Sequence, residues 1–432
     1  MGSRQKNTYQ LKRFLSAFVI FFVLGTACGF EAAGFPATES LSHLHEKQLA
    51  PISGIVERSI HDGKIPGAVV LIGNSGKVIY RQAFGYRSLE PKKIPMTVDT
   101  IFDLASLTKV LATTTAIMQL VEMGKLGLDD PVAKYWPEFK ANGKGHITVR
   151  ELLTHYSGLR AGLNLKPWWS GYKAAIKKII AERPLYPPGK VYIYSDVNFV
   201  ILGELVQRVS GKTLDEYCFM NIFKLLGMKN TLFRPSAVLH ERIAPTQYRK
   251  GKMLFGYVDD PTCFKMGGVS GHAGLFSNAD DLSIFAQMLL NRGKIKGVNI
   301  LKPQTVDQMI GPQTPFNNPK LRGLGWDIEA PLSSNRNELF PVGAYGHLGY
   351  TGTSIWIDPV TETYVIVLTN RVHPDGKGNV KELRASIKSV VSEALGPISY
   401  EQILAKRPDL LAYYVYMRNH EVRLSGRNGN AR

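Results

Sequence analysis

Ser106 and Lys109 stand at the head of an apolar stripe in which Val110, Leu111, Ile117, Met118, Leu120, Val121 and Leu126 recur at spacings of three to four. That period is a buried helix face, and residues three apart share it, so the amine can reach the hydroxyl. A serine oxygen becomes a nucleophile when a neighbouring base takes its proton, and a lysine can serve once its charge is disfavoured. From an ordinary pKa of about 10.4, the site would have to depress it by desolvation or a nearby cation. A helix starting at Ser106 also turns its positive dipole end and free N–H groups toward a developing alkoxide. Alone, S-x-x-K is more often a helix N-cap followed by a surface lysine; the chemical reading needs partners.

Two partners follow along the chain. Tyr194-Ser195-Asp196 comes after the turn signal Tyr186-Pro187-Pro188-Gly189 and before a second apolar stripe of Phe199, Val200, Leu202, Leu205, Val206 and Val209. That places it in a loop at a helix start. A tyrosine there can carry the serine proton as base and then acid if a cation lies near its phenol. Asp196 can accept from the lysine or hold a substrate amide. Further on, Tyr345-Gly346-His347-Leu348-Gly349-Tyr350-Thr351-Gly352-Thr353 leads into the strand-like Ser354-Ile355-Trp356-Ile357. Glycines beside a strand edge let a substrate backbone lie close, and N–H groups there can complete an oxyanion hole.

S-x-x-K, then Y-x-N/D, then a K/H-x-G triplet on a strand resembles the serine β-lactamase and penicillin-binding-protein superfamily. The likeness is to its class C-like, D-Ala-D-Ala carboxypeptidase and esterase branch, particularly penicillin-binding protein 4B-like members. Phe102–Ala105, Leu152–Leu159, Gly267–Ser277 and Gly323–Trp326 fit as well, and the resemblance spans roughly residues 50 to 396. It implies Ser106 as nucleophile, with Lys109 as proton acceptor or electrostatic support. Tyr194 would be general base and then general acid, and Asp196 would anchor Lys109 or the substrate. His347 and Gly349 would line the acyl pocket, with the N–H groups of Ser106 and Tyr350 as oxyanion hole. Lys109 and Tyr194 both stay open as the primary base. Three positions depart from the usual pattern: Asp196 where many relatives carry asparagine, His347 where β-lactamases carry lysine, and Leu348 where threonine is usual. A neutral histidine attracts a substrate carboxylate less than lysine does, which favours an esterase or peptidase over a β-lactamase.

Other motifs dissolve on inspection. Ser210-Gly211-Lys212-Thr213 ends like a P-loop, but the earlier glycine would fall at Val206 inside a helical stripe, so it reads as a helix end and turn. Gly268-Val269-Ser270-Gly271-His272 approaches a nucleophile elbow, with His272 displacing the closing glycine, and reads as a tight loop beneath the site. His155 reads as a structural hydrogen-bonding histidine. His45-Glu46 lacks the second histidine of a zinc motif, and no Cys/His spacing suggests a metal. No cofactor is expected.

At 432 residues the chain can bury a large core. Of its three cysteines, Cys28 lies in a leader-like segment, leaving at most the pair Cys218 and Cys263, so the fold cannot rest on a disulfide framework. Arg4, Lys6, Lys12 and Arg13 precede the apolar run from Phe14 to Leu24, the pattern of a secretory signal or membrane anchor over residues 1–33. Cleavage after Ala27 or Ala33, lipidation on Cys28 and retention as an anchor stay open. The expectation is export to the bacterial envelope, the N-terminus being the candidate membrane contact. The net charge of +18 has no aromatic-basic repeat or recognition helix beside it, so nucleic acid is not an expected partner. A small-molecule or peptidoglycan-derived substrate is.

The resemblance implies an α+β fold, β-lactamase/transpeptidase-like: an antiparallel sheet with flanking helices, plus a mainly helical inserted subdomain. Turn signals agree, with hairpins around Asn74-Ser75-Gly76 and Asp358–Glu362, and a helix whose one face is Val380, Leu383, Ile387, Val390 and Ala394. The sheet domain is expected from 50–104 and 266–396, the helical subdomain from 105–265, and a C-terminal extension over 397–432 whose end from Leu424 reads as disordered. The leading function is an envelope serine hydrolase forming an acyl-enzyme on Ser106, acting as D-Ala-D-Ala carboxypeptidase, peptidase or esterase. A slowly deacylating penicillin-binding receptor and a class C-like β-lactamase are the alternatives.

Overall fold

Both ends of the described chain build one sheet. The computed structural model describes residues 44–314, 321–328, 343–396, 398, 400–413 and 415; the expected leader 1–33 with Cys28, and the tail from Leu424, lie outside them. From the N-terminal side come β1 (Gly67–Asn74), β2 (Lys77–Ser88) and β3 (Ile94–Pro95). Next follow three short strands of a separate sheet, β4 (Phe102–Asp103), β5 (Leu232–Phe233) and β6 (Leu275–Ser277). The C-terminal side supplies β7 (Asp327–Ile328), β8 (Tyr345–Leu348), β9 (Ser354–Asp358) and β10 (Thr363–Thr369). The main sheet runs β7-β8-β9-β10-β1-β2-β3 with every neighbour antiparallel. β1 and β10 close the join, with Leu71 opposite Ile366. At the first hairpin Ser75 and Gly76 take φ of +48° and +81°, the primed two-residue turn that matches strand twist.

β1 shows why two layers of helix are needed. All eight residues are buried, as in a strand covered on both faces, and its side chains alternate between two apolar clusters. Ala68, Val70 and Ile72 pack with Ile52 and Val56 of α1 (Pro51–His61) and with residues late in the chain. Val69 and Leu71 belong to the larger cluster on the other face. That cluster continues into the helices behind Ser106: the run Lys109–Thr114 leading into α2 (Thr115–Glu122), then α3 (Val149–Leu153), α4 (Asp196–Ser210) and α5 (Ala279–Leu290). The late residues Leu383 and Ile387 lie on α6 (Lys381–Leu395). Each fully buried aliphatic side chain contributes roughly 1.5–3 kcal/mol, so the central strand is held from both sides.

The helix behind Ser106 differs from the regular one expected. Lys109–Thr114 is a π-type turn, entirely buried. Thr113, Thr114 and Thr115 follow in a row, and their hydroxyls compete with the backbone ladder: Thr115 Oγ1 donates to Val110 O at 3.0 Å, and Thr113 Oγ1 to Gly271 O at 2.7 Å. Such turns concentrate at functional sites. The C-terminal extension adds α7 (Tyr400–Lys406), and the buried Arg407 after it donates to Gly343 O and Ile310 O. Cys218 and Cys263 are buried free thiols. Among the described residues no helix is long and apolar enough to cross a membrane.

Candidate active site

The segment before the nucleophile is bent by a single residue. Ala105 sits at φ +47°, a region alanine rarely enters, and the buried Asp103 side chain holds its N–H at 2.9 Å. Ser106 then opens the helix with its oxygen partly exposed, while Lys109 is fully buried one turn on. Lys109 Nζ donates to Ser106 Oγ at 2.9 Å and to His272 O at 3.1 Å, and lies 2.7 Å from Asp196 Oδ1. It also stands 5.0 Å from the centre of the Tyr194 ring and 5.7 Å from that of Phe199. Burial opposes its charge, but Asp196 and Tyr194 outweigh burial and hold the Lys109 pKa above its ordinary value. This corrects the expectation of a depressed lysine: desolvation is present, and the carboxylate beside the amine reverses its effect.

Tyr194 and Asp196 are aimed by the cap of α4. Ser195 is the N-cap, its Oγ accepting from Asn198 N at 3.2 Å and donating to Arg160 O at 2.6 Å. The flanking backbone is pinned by His155, whose Nδ1 accepts from Ser195 N at 3.0 Å and whose carbonyl accepts from Ile193 N at 3.0 Å. His155 is buried with φ +63°, its ring 4.6 Å from that of Tyr194. Burial, with Arg322 and Lys109 nearby, drives its pKa well down, so it is a neutral scaffold for the tyrosine loop, the structural part expected of it.

Opposite, β8 presents His347. Its Nδ1 bonds Leu348 O at 2.9 Å, which puts the ring proton on Nδ1, and its buried Nε2 has no hydrogen-bond partner. The His347 and Tyr194 rings are 6.1 Å apart. Burial pushes the His347 pKa down to about 4, so the ring is neutral near pH 7. Arg322, fully buried, is another cation nearby, but it pairs with Asp327 and donates to Tyr192 Oη at 3.1 Å. The strand end beyond His347 is fastened to the nucleophile segment: Thr351 Oγ1 donates to Asp103 O at 2.7 Å and Thr353 Oγ1 to Leu104 O at 3.0 Å. Gly349 fits between, since a Cβ there would lie 2.0 Å from Thr353 Oγ1 and 2.5 Å from Leu104 O.

Beneath Lys109, Ser270 Oγ and Asp260 Oδ1 each hydrogen-bond the His272 ring at 2.8 Å, fixing the carbonyl that takes a lysine proton. Asp260 is held down at about 2: burial works against its charge, and His272 and Lys109 more than compensate. Asp196, Asp260 and His272 bring donor atoms within 4.8 Å of one another, a grouping able to hold a metal; the cation facing it is the Lys109 ammonium, 2.7 Å from Asp196. The structure thus gathers Ser106, Lys109, Tyr194, Asp196 and His347 around one point, with Gly349 and Tyr350 in the loop after β8. Sequence reasoning missed Asp103, Asp260, Phe199 and Arg322. Asp260 carried a weak local signal, as N-cap of the proline-started helix Pro261–Lys265; the others meet the site only through tertiary packing.

Most of the chain is similar to known proteins. The profile of the beta-lactamase family matches residues 52–387. An N-acetylmuramyl-L-alanine amidase of Bacillus subtilis (strain 168) is 32% identical over 385 residues, 78% of this chain and 85% of that protein. An Escherichia coli (strain K12) protein named "Putative D-alanyl-D-alanine carboxypeptidase" is 32% identical over 392 residues, covering 81% and 89%. Among solved structures, EstCE1, a hydrolase with promiscuous acyltransferase activity, superposes with a TM-score of 0.66 at 26% identity, covering 80% of this chain and 99% of that one. A class C beta lactamase from Rhodobacter sphaeroides shares the fold, with a TM-score of 0.65 at 22% identity and the same coverage.

Proposed function

The chain belongs to the beta-lactamase family as a serine hydrolase, and we propose that it cleaves amide or ester bonds of peptidoglycan-derived substrates at the bacterial envelope through an acyl-enzyme on Ser106. Ser106 Oγ attacks the carbonyl carbon while Tyr194 takes the hydroxyl proton and returns it to the leaving group. The N–H groups of Ser106 and Tyr350 receive the oxyanion, and water then releases the acid. The observation that carries this reading is the fully buried Lys109 Nζ, 2.9 Å from Ser106 Oγ and 2.7 Å from Asp196 Oδ1. An ammonium cannot accept the serine proton. Lys109 therefore supplies charge to the alkoxide and the phenol, and the base is Tyr194. Envelope location is supported by the basic-then-apolar run up to Leu24 and by the bacterial relatives.

The charge balance bears on substrate. A β-lactam or a D-Ala-D-Ala terminus carries a carboxylate. His347 is neutral near pH 7, Lys109 and Arg322 are already paired with Asp196 and Asp327, and the two further arginines by the loop after β8 donate to backbone carbonyls, Arg371 Nε to Tyr350 O at 2.7 Å and Arg384 Nη2 to Gly349 O at 3.1 Å. An acyl bond flanked by amide or ester groups fits better, as in the amidase relative's name. Carboxypeptidase action is the second reading, favoured by the relative matched over 89% of its length.

Intact mass of the protein, followed over time with a nitrophenyl ester, a muropeptide and a fluorescent penicillin, tests both. We expect a transient adduct with ester or muropeptide, slow turnover of penicillin, and no adduct in Ser106→Ala. Labelling that persists in Ser106→Ala removes Ser106 as nucleophile. A long-lived adduct with every probe replaces hydrolase by receptor.

A further inference from the structure

In a trans peptide the C=O and N–H point in opposite directions, so whatever grips the carbonyl of one residue aims the N–H of the next. Both peptide units assigned to the oxyanion are gripped in this way. Behind Ser106 N–H, Ala105 O accepts from Thr108 Oγ1 at 2.7 Å and from Thr108 N at 3.1 Å. Behind Tyr350 N–H, Gly349 O accepts from Gly352 N at 3.1 Å and from Arg384 Nη2 at 3.1 Å, and the same arginine nitrogen donates to Thr353 O at 2.6 Å. Arg384 stands in the first turn of α6. Among the described residues no carboxylate pairs with it, and its buried Nε has no hydrogen-bond partner. Burial, with Arg371 adding repulsion, pushes its pKa down to about 10. A half-buried guanidinium without a counter-ion is costly, and here its charge is directed at two backbone carbonyls.

We propose that Arg384 is a positioning residue for the oxyanion hole, locking the Gly349–Tyr350 peptide with its N–H toward the reacting carbonyl and polarising that peptide as the oxyanion forms. The proposal rests on the acyl-enzyme reading and on Tyr350 N–H as an oxyanion donor. Closing the turn does not by itself need the arginine: Gly349 N already donates to Thr353 O at 2.7 Å, and Thr353 Oγ1 ties the strand to Leu104 O. What the guanidinium adds is charge on the far side of the donor peptide.

The test compares full-length wild type with Arg384→Gln and Arg384→Lys, using a nitrophenyl ester, its thionoester and a boronic acid that forms a tetrahedral adduct on Ser106. Arg384→Gln should lower kcat for the ester about tenfold at unchanged KM, a fraction of the loss seen when a direct oxyanion donor is removed. Boronate affinity should fall by a similar factor, the ester-to-thionoester rate ratio should shrink, and Arg384→Lys should recover part of each. A purely structural arginine would alter thermal stability and KM while leaving boronate affinity and that ratio in place, which overturns the proposal. So does an Arg384→Gln enzyme that acylates at the wild-type rate. If the glutamine variant does not fold, the lysine variant carries the same readouts: an ester-to-thionoester ratio equal to wild type counts against the proposal, and a reduced ratio supports it. A wild type that forms no adduct on Ser106 overturns the underlying reading instead, so the two failures are told apart.

Discussion

Lys109 has the Asp196 carboxylate 2.7 Å from its amine. Burial disfavours the lysine's charge, and the carboxylate and phenol beside it more than offset that. Asp196→Asn should therefore loosen the hold on that proton and let Lys109 lose its charge at lower pH. The alkaline limb of the kcat/KM–pH profile for an ester, which in this mechanism marks loss of the ammonium, should move to lower pH by about one unit, within the 1–3 units an adjacent opposite charge can impose. A profile recorded from pH 6 to 11 checks this, and an unmoved limb would remove Asp196 from control of the Lys109 charge. At this scale Ser106, Lys109 and Tyr194 were legible in the sequence, because their chemistry is written into short motifs. The charge state of Lys109 was not, because it depends on a carboxylate 87 positions away in the numbering of the chain.

The loop after β8 is set against the end of β4 by two threonine hydroxyls, and Gly349 is the point of closest approach. A methyl group there would strike Thr353 Oγ1 and the Leu104 carbonyl, so Gly349→Ala must push the Tyr350 N–H away from Ser106. Displacement of about 1 Å at a reacting centre costs on the order of 100-fold, whereas overpacking at one position costs about 1–3 kcal/mol of stability. Acylation by a nitrophenyl ester should drop about 100-fold while the thermal transition stays cooperative and falls only modestly. Equal losses of activity and folded fraction would assign the glycine to stability alone. Elements of this kind were readable from sequence where turn chemistry is local, as in the Ser75–Gly76 hairpin. The π-type turn at Lys109–Thr114 escaped, because an apolar stripe at three-to-four spacing does not distinguish a widened turn from a regular one.

The meeting of β1 with β10 explains how Ser106 and His347 converge, and hairpin signals at both ends of the sequence made that meeting expected. Less visible was how the larger apolar cluster runs from the sheet into the helices, carrying buried ionisable groups with it. Asp103 is one of these. Its carboxylate oxygens accept the N–H groups of Ala105 at 2.9 Å and of Asp259 at 2.7 Å, tying the nucleophile segment to a stretch more than 150 residues on. Burial pushes its pKa up to about 7, with Asp259 adding repulsion. In the unfolded chain the same carboxyl titrates near 4. Between pH 4 and 7 the native state therefore holds a proton that the unfolded state has released, so this group's contribution to stability falls as pH rises through that window and is flat above it. His347, with its pKa lowered to about 4, acts with the opposite sign over part of the same range, and buried Asp358, raised to about 6, acts with the same sign, so the wild-type curve alone mixes them. The difference between wild type and Asp103→Asn isolates Asp103. The amide sets a donor against one of the two N–H groups and should lower stability by about 1–3 kcal/mol near pH 4.5, but it cannot titrate. Thermal melts from pH 4.5 to 8 should show wild type losing its advantage over Asp103→Asn as pH rises toward 7, and holding it constant beyond. Parallel curves across the range would mean that Asp103 is ionised in the native protein, its two N–H bonds having overcome the cost of burial.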